Sequence, residues 1–185
     1  MNTTRYSNVA VALHWLVAIG ILYNLWCGLI VFDDNTTRSA IDLHKSIGLT
    51  VLALVLLRVL WRIGHKPPAP LAGLQPWEKK LSTSVHHLLY LLIVLVPLAG
   101  WLHDSAWSGA ATHPLMLFGT VPFFRLPLFS GLSPAARDHA HDWLGAAHSI
   151  SAKLLLAAVV LHVAGALKHQ FLDRKPELRR MWFGR

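Results

Sequence analysis

Apolar residues fall into four long runs separated by polar or proline-rich breaks. They cover residues 8–32 (NVAVALHWLVAIGILYNLWCGLIVF), 41–61 (with IGLTVLALVLLRVLW), 85–102 (VHHLLYLLIVLVPLAGWL) and 143–171. A hydrocarbon core about 30 Å thick is crossed by roughly 20 mostly apolar residues in helical form. Lipid offers no partner to backbone N–H and C=O groups, so runs of this length must be helices that satisfy themselves. The pattern predicts an all-α integral membrane protein, a bundle of four transmembrane helices in one domain over residues 1–185. The first run is too long for a signal-peptide core. It also carries His14 and Asn24 and has no small-residue cleavage site behind it, which marks a retained anchor.

The breaks differ in kind. Residues 33–40 are short and polar, and KPPAP (Lys66 to Pro70) is an extended linker that cannot continue a helix. Residues 103–142 form a long, unusually apolar connection with Trp107, Phe118, Phe123, Phe124 and Phe129. Connections of that length are usually functional or disordered, and this one is expected to lie on the outer surface as a cap. Within it, Ser133-Pro134 ahead of AARDHAHDW has the form of a helix start, Ser at the N-cap and Pro at the first helical position.

Composition sharpens this picture. The chain is 54% hydrophobic and only 14% charged, which excludes a disordered segment and an ordinary soluble domain. Its net charge of +8 is distributed by topology. Arg5, Arg62, Lys66, Lys79, Lys80, Lys168, Arg174, Lys175, Arg179, Arg180 and Arg185 fall on one side of the four runs. Arg38, Lys45, Arg125, Arg137 and Lys153 fall on the other, with most of the acids: Asp33, Asp34, Asp42, Asp104, Asp138 and Asp142. The positive-inside rule then places both termini in the cytoplasm, as expected for a multi-pass bacterial inner-membrane protein. The basic excess serves anionic lipid rather than nucleic acid. Trp15, Trp61, Trp101 and Trp143 fall near run ends, where an aromatic belt sits. The single cysteine, Cys27, has no intrachain disulfide partner and reads as a small hydrophobe.

The candidate chemistry lies in the 12 histidines. His65, His103, His113, His139 and His141 fall in loops or at edges, where a solvated imidazole needs no explanation. The others lie within or near the runs, where an ionisable residue is costly and marks function. His148 and His162 are 14 residues apart, so on a helix they share a face and stand about 21 Å apart along the axis. Antiparallel neighbours bring His14 level with His162 at inner depth and His44 level with His148 at outer depth. Two facing pairs at two depths suit two flat macrocycles, each held by one axial nitrogen from either side, as histidine holds haem. Zinc prefers four ligands around one ion, and the absence of C-x-x-C-H excludes covalent haem. Arg58, 14 residues after His44, falls at inner depth on nearly the same face, where a haem propionate would partner its guanidinium; the other reading is a side chain that snorkels to the inner interface.

Several motifs stand in a characteristic order: Tyr6-Ser7 with ALHW (Ala12 to Trp15), LHKSIG (Leu43 to Gly48) and RVLWR (Arg58 to Arg62). Pro67-Pro68, HHLLY with PLAGW, the stretch from Leu161 to His169 and LRRM (Leu178 to Met181) follow. Over nearly its whole length the chain resembles the bacterial cytochrome b561 family of small four-helix, di-haem membrane proteins. The resemblance implies two non-covalent haem b groups. It makes His14 and His162 the axial ligands of the inner iron, and His44 and His148 those of the outer iron. It further implies electron transfer of the superoxide oxidase type: electrons taken from superoxide at the periplasmic face and passed to ubiquinone. Outer cations such as Lys45, Arg125 or Arg137 would attract the superoxide anion. The family pattern places His86 and His169 at inner depth, where they would exchange protons with the quinone. His87 departs from it by about 100° around the helix and reads as structural. The other reading is a cytochrome b subunit relaying electrons between the quinone pool and a periplasmic redox partner, with no superoxide chemistry of its own.

Overall fold

A computed structural model describes residues 5–33, 35–65, 67–69 and 73–183. Asp34, Lys66 and Arg185 of the charge count, and Pro70 of the linker, lie outside them. Four long helices dominate. Helix α1 (Asn8–Trp26) runs on into a π-helical turn (Cys27–Val31), followed by α2 (Arg38–Gly64), α3 (Pro76–Ala106) and α4 (Pro134–Leu167), which ends in a second π-turn (Lys168–Leu172). A short α5 (Glu177–Arg180) closes the described chain. All four long helices are apolar and long enough to cross a bilayer.

The helices outrun the hydrophobic runs because capping chemistry, not hydropathy, sets their ends. Helix α3 begins at Pro76 rather than residue 85: Gln75 N donates to the Glu78 carboxylate at 3.0 Å in a capping box, with Pro at the first position. Helix α4 begins at Pro134 rather than residue 143, with Ser133 Oγ accepting from Ala136 N. The helix start expected at Ser133 is thus the start of the fourth span itself. With α3 continuing to Ala106, the outer connection shrinks from residues 103–142 to 107–133. Likewise Ser7 caps α1 and Thr37 caps α2, each through its side-chain oxygen.

Inside the bundle, Val17, Ile21 and Leu25 meet Val51 and Val55, Leu92 and Ile93, and Ala152, Leu155 and Ala158. Leu16, Ile19, Leu60, Ile63 and Val160 point outward, the distribution a protein solvated by lipid needs. Helices α1 and α2 approach closely at Gly20, where an added Cβ would sit 2.5 Å from Val51 Cγ2.

The outer connection is a folded cap. Strands β1 (Leu115–Leu117) and β2 (Val121–Phe123) pair antiparallel. They are joined by a tight turn in which Phe118 and Gly119 both have positive φ (51° and 70°). Phenylalanine rarely adopts this conformation, and a tie to the bundle holds it: Phe118 N donates to Ser46 Oγ at 2.9 Å. Ser46 is fully buried and its hydroxyl donates to the Asp42 carbonyl at 2.7 Å. Arg125 binds the same cap to α3, donating to Asp104 Oδ2 at 2.7 Å and to the carbonyls of Ala110 and His113.

Candidate haem sites between the helices

Each of the two expected pairs comes together. His14 on α1 faces His162 on α4 with ring centroids 6.4 Å apart and planes at 73°. His44 on α2 faces His148 on α4 at 6.2 Å and 87°. Two imidazoles bound on opposite sides of one metal, with bonds of about 2 Å and about 1.1 Å from nitrogen to ring centre, have centroids about 6 Å apart. Both pairs therefore stand at the separation that trans coordination of a single metal requires.

The surroundings of the outer pair fit a bound macrocycle. A cavity of about 510 Å³ lies between the helices, with His44 and His148 in its wall. His148 Nδ1 donates to the Val96 carbonyl at 2.9 Å, which leaves Nε2 as the nitrogen that could serve as a ligand. A Cβ at Gly100 would come within 3.0 Å of His148 Cε1 and 3.1 Å of Nδ1, and one at Gly28 within 3.4 Å of His44 Cε1. Glycine at these positions makes room for the rings. Two polar atoms in the cavity wall, His44 Nδ1 and Asn24 Oδ1, are buried without a hydrogen-bond partner. Buried polar atoms are rarely left so.

At the other end, Arg58 Nη1 donates to the Ala10 carbonyl at 3.2 Å, one turn before His14. His86 lies against His162, ring centroids 5.2 Å apart, and its Nδ1 donates to the Ser82 carbonyl at 2.6 Å. His169 sits further along, in the π-turn after α4, with Nδ1 2.6 Å from Asp173 Oδ2. Asp173 also accepts from Lys168 Nζ at 2.9 Å, and Lys168 reaches Glu78 on α3 at 2.7 Å. The Lys168 hydrogen bond, and then the His169 one, hold the Asp173 carboxyl below the usual carboxylate range.

Two features of the outer end escape a reading of the runs. His103 and His141, expected as solvated loop residues, are carried on α3 and α4 and stack with centroids 3.9 Å apart. His141 Nδ1 donates to the His103 carbonyl at 3.0 Å, so the neutral ring offers Nε2 as acceptor to the Nε2–H of His103, also at 3.0 Å. The signal was in the spacing: His141 precedes His148 by seven residues, two turns on one face. Lys45 and Arg125 are also not free cations. Both hold the buried Asp104 carboxylate, at 2.6 and 2.7 Å. Arg137 donates to the Trp107 carbonyl, and Arg38 lies 4.5 Å over the Trp107 ring. The outer cations anchor the cap more than they project charge into solvent.

The sequence signature described as prokaryotic cytochrome b561 matches residues 5–184. Cytochrome b561 homolog 2 of Escherichia coli (strain K12) is 34% identical over 182 residues, covering 96% of this chain and 90% of that protein. Cytochrome b562 of Cereibacter sphaeroides is 26% identical, over 95% of this chain and 94% of its own length. A probable superoxide oxidase, CybB of Yersinia pestis, is 23% identical, over 96% and 95%. Matched from end to end, and with the four-helix membrane architecture in place, the chain belongs to the prokaryotic cytochrome b561 family.

Proposed function

We propose that this protein is a di-haem b superoxide:ubiquinone oxidoreductase of the bacterial inner membrane, with both termini in the cytoplasm. Its family makes it a membrane electron-transfer protein that binds b-type haem. The finer reading rests on one observation above all: two histidine pairs at 6.4 and 6.2 Å, one toward each end of a four-helix bundle. In this reading His14 and His162 hold the inner haem iron, and His44 and His148 the outer. Haem supplies one-electron chemistry when bound.

The chain's own residues do the rest. The Val96 carbonyl orients His148, and Trp107 and Leu115 of the outer connection line the cavity beside it. Arg58, with one donor on Ala10, offers its remaining N–H groups to an inner propionate. His86 and His169 exchange protons with ubiquinone at the inner end. Superoxide as donor draws support from the 23% identity to a probable superoxide oxidase over nearly the full length.

Purified protein, mixed with a superoxide source and a water-soluble ubiquinone analogue, is expected to show haem reduction near the diffusion limit and quinol formation. Superoxide that leaves the haems oxidised would refute the enzyme reading. The relay reading, a cytochrome b subunit between the quinone pool and a periplasmic partner, draws support from the cap. Phe118, Val121, Phe124 and Leu128 are all more than half exposed there, and the cations meant to draw superoxide are internally paired. It predicts no turnover alone and copurification of a redox partner that contacts residues 107–133. Alanine at His44 or His148 should each remove one haem, and at His14 or His162 the other. Retention of both haems in any of these variants would contradict the ligand assignment.

A further inference from the structure

The inner end of the bundle carries a chain of charged groups that haem coordination leaves unused. Glu78 in the first turn of α3, Lys168 at the end of α4, and Asp173 and His169 around the following π-turn are linked in series. The steps are 2.7 Å from Lys168 Nζ to Glu78, 2.9 Å from Nζ to Asp173 Oδ2, and 2.6 Å from the same oxygen to His169 Nδ1. Three of these groups could in principle surround a metal ion, but the Lys168 ammonium already bridges the two carboxylates. A cation of the chain's own thus stands between them.

The π-turn makes the arrangement. Asp173 N donates to the Lys168 carbonyl, closing the wider turn, and the Asp173 side chain returns to residues four and five positions earlier. Single π-turns within helices recur at functional sites. A carboxylate can only accept, so the hydrogen between Asp173 and His169 lies on Nδ1. Nε2 is then the one ring nitrogen left to exchange a proton with anything else.

We propose that Asp173 is a positioning residue for His169: it fixes the Nδ1–H tautomer and presents Nε2 to a quinone at the inner end, while Lys168 and Glu78 hold the carboxylate in place. This rests on the quinone reading above. Reduction of a quinone to a quinol takes two electrons and forms two O–H bonds. The outer donor supplies the electrons, each superoxide giving one and leaving as dioxygen. One O–H bond forms as the Nε2–H bond of a protonated His169 breaks. The ring regains that proton, and the quinol its second, from the cytoplasmic water that reaches the cluster. A carboxylate behind the imidazole keeps the exchanging nitrogen constant from one turnover to the next.

The test uses the full haem-loaded protein in lipid nanodiscs, in the reduced, diamagnetic state, labelled with ¹⁵N-histidine and with His169→Gln to identify the signal. The wild type should show His169 with its hydrogen on Nδ1. Asp173→Asn should populate the Nε2–H tautomer, and Asp173→Glu should restore the first. In parallel, the pre-reduced protein is reoxidised by ubiquinone-1. Asp173→Asn should slow the maximal rate about tenfold or more with little change in the half-saturating concentration, and Asp173→Glu should recover most of it. An unchanged tautomer in Asp173→Asn would overturn the proposal, and so would a changed tautomer with an unchanged rate. If the wild type itself is not reoxidised by ubiquinone-1, the quinone reading falls. A tautomer that still follows residue 173 would then support the positioning by itself.

Discussion

Substituting Gly100 by alanine adds a single methyl group, and the structure says where it goes. The new Cβ would lie 3.0 Å from His148 Cε1 and 3.1 Å from Nδ1, where ordinary van der Waals contact begins near 3.4 Å. The ring must retreat by a few tenths of an ångström. Metal–ligand distances are held to about ±0.2 Å, so a displacement of that size would be felt at an iron held by this ring. The same retreat strains the 2.9 Å bond from His148 Nδ1 to the Val96 carbonyl that fixes the ring orientation. Losing such an orienting contact costs about 10–100-fold in affinity, or about 1.4–2.8 kcal/mol. The expected phenotype is a fall in the outer haem alone, read as haem-to-protein ratio and as the difference spectrum during titration of haem into apoprotein. Gly165→Ala is the control: no atom lies within 4 Å of the added methyl, and alanine improves helix propensity there. Wild-type affinity at both haems in Gly100→Ala would refute the placement of a haem against His148.

Three further predictions concern the cap and the inner cluster. Asp104 is 6% exposed and holds Lys45 and Arg125 together, so Asp104→Asn leaves Arg125 without its carboxylate and Lys45 with Asp42 at 3.5 Å, and should cost about 3–5 kcal/mol. Thermal unfolding in detergent checks this, and a change below about 1 kcal/mol would contradict it. Ser46→Ala removes the acceptor for Phe118 N and should cost about 1–3 kcal/mol. Hydrogen exchange should accelerate at residues 115–123 while the bundle core stays protected. Because Asp173 titrates below the ordinary carboxylate range when folded, its contribution is full above the unfolded value of about 3.9 and is lost as pH falls through the lower folded value. Exchange at residues 168–173, taken relative to the intrinsic amide rate, should therefore rise on acidification in the wild type by more than in Asp173→Asn, where only the Glu78–Lys168 pair still titrates.

The sequence alone determined the four spans, because a bilayer demands long apolar helices and such runs are visible without any contact information. It also determined which histidines share a face, since His148 and His162 lie on one helix and local periodicity decides their alignment. The resemblance to a known family followed from the order of short motifs, each of them local. Tertiary structure alone decided what meets across helices. Asp104 draws together Lys45 and Arg125, residues 59 and 21 positions away in the chain, and turns expected free cations into an internal anchor. His103 and His141 pair because α3 continues past its apolar run to Ala106 and capping by Ser133 starts α4 at Pro134, and packing of those two extensions brings the rings within 3.0 Å. Periodicity fixes a face and a depth. The distance between two faces is set by side-chain volumes in the core and by close approaches such as Gly20 and Gly100, and no window of sequence contains it.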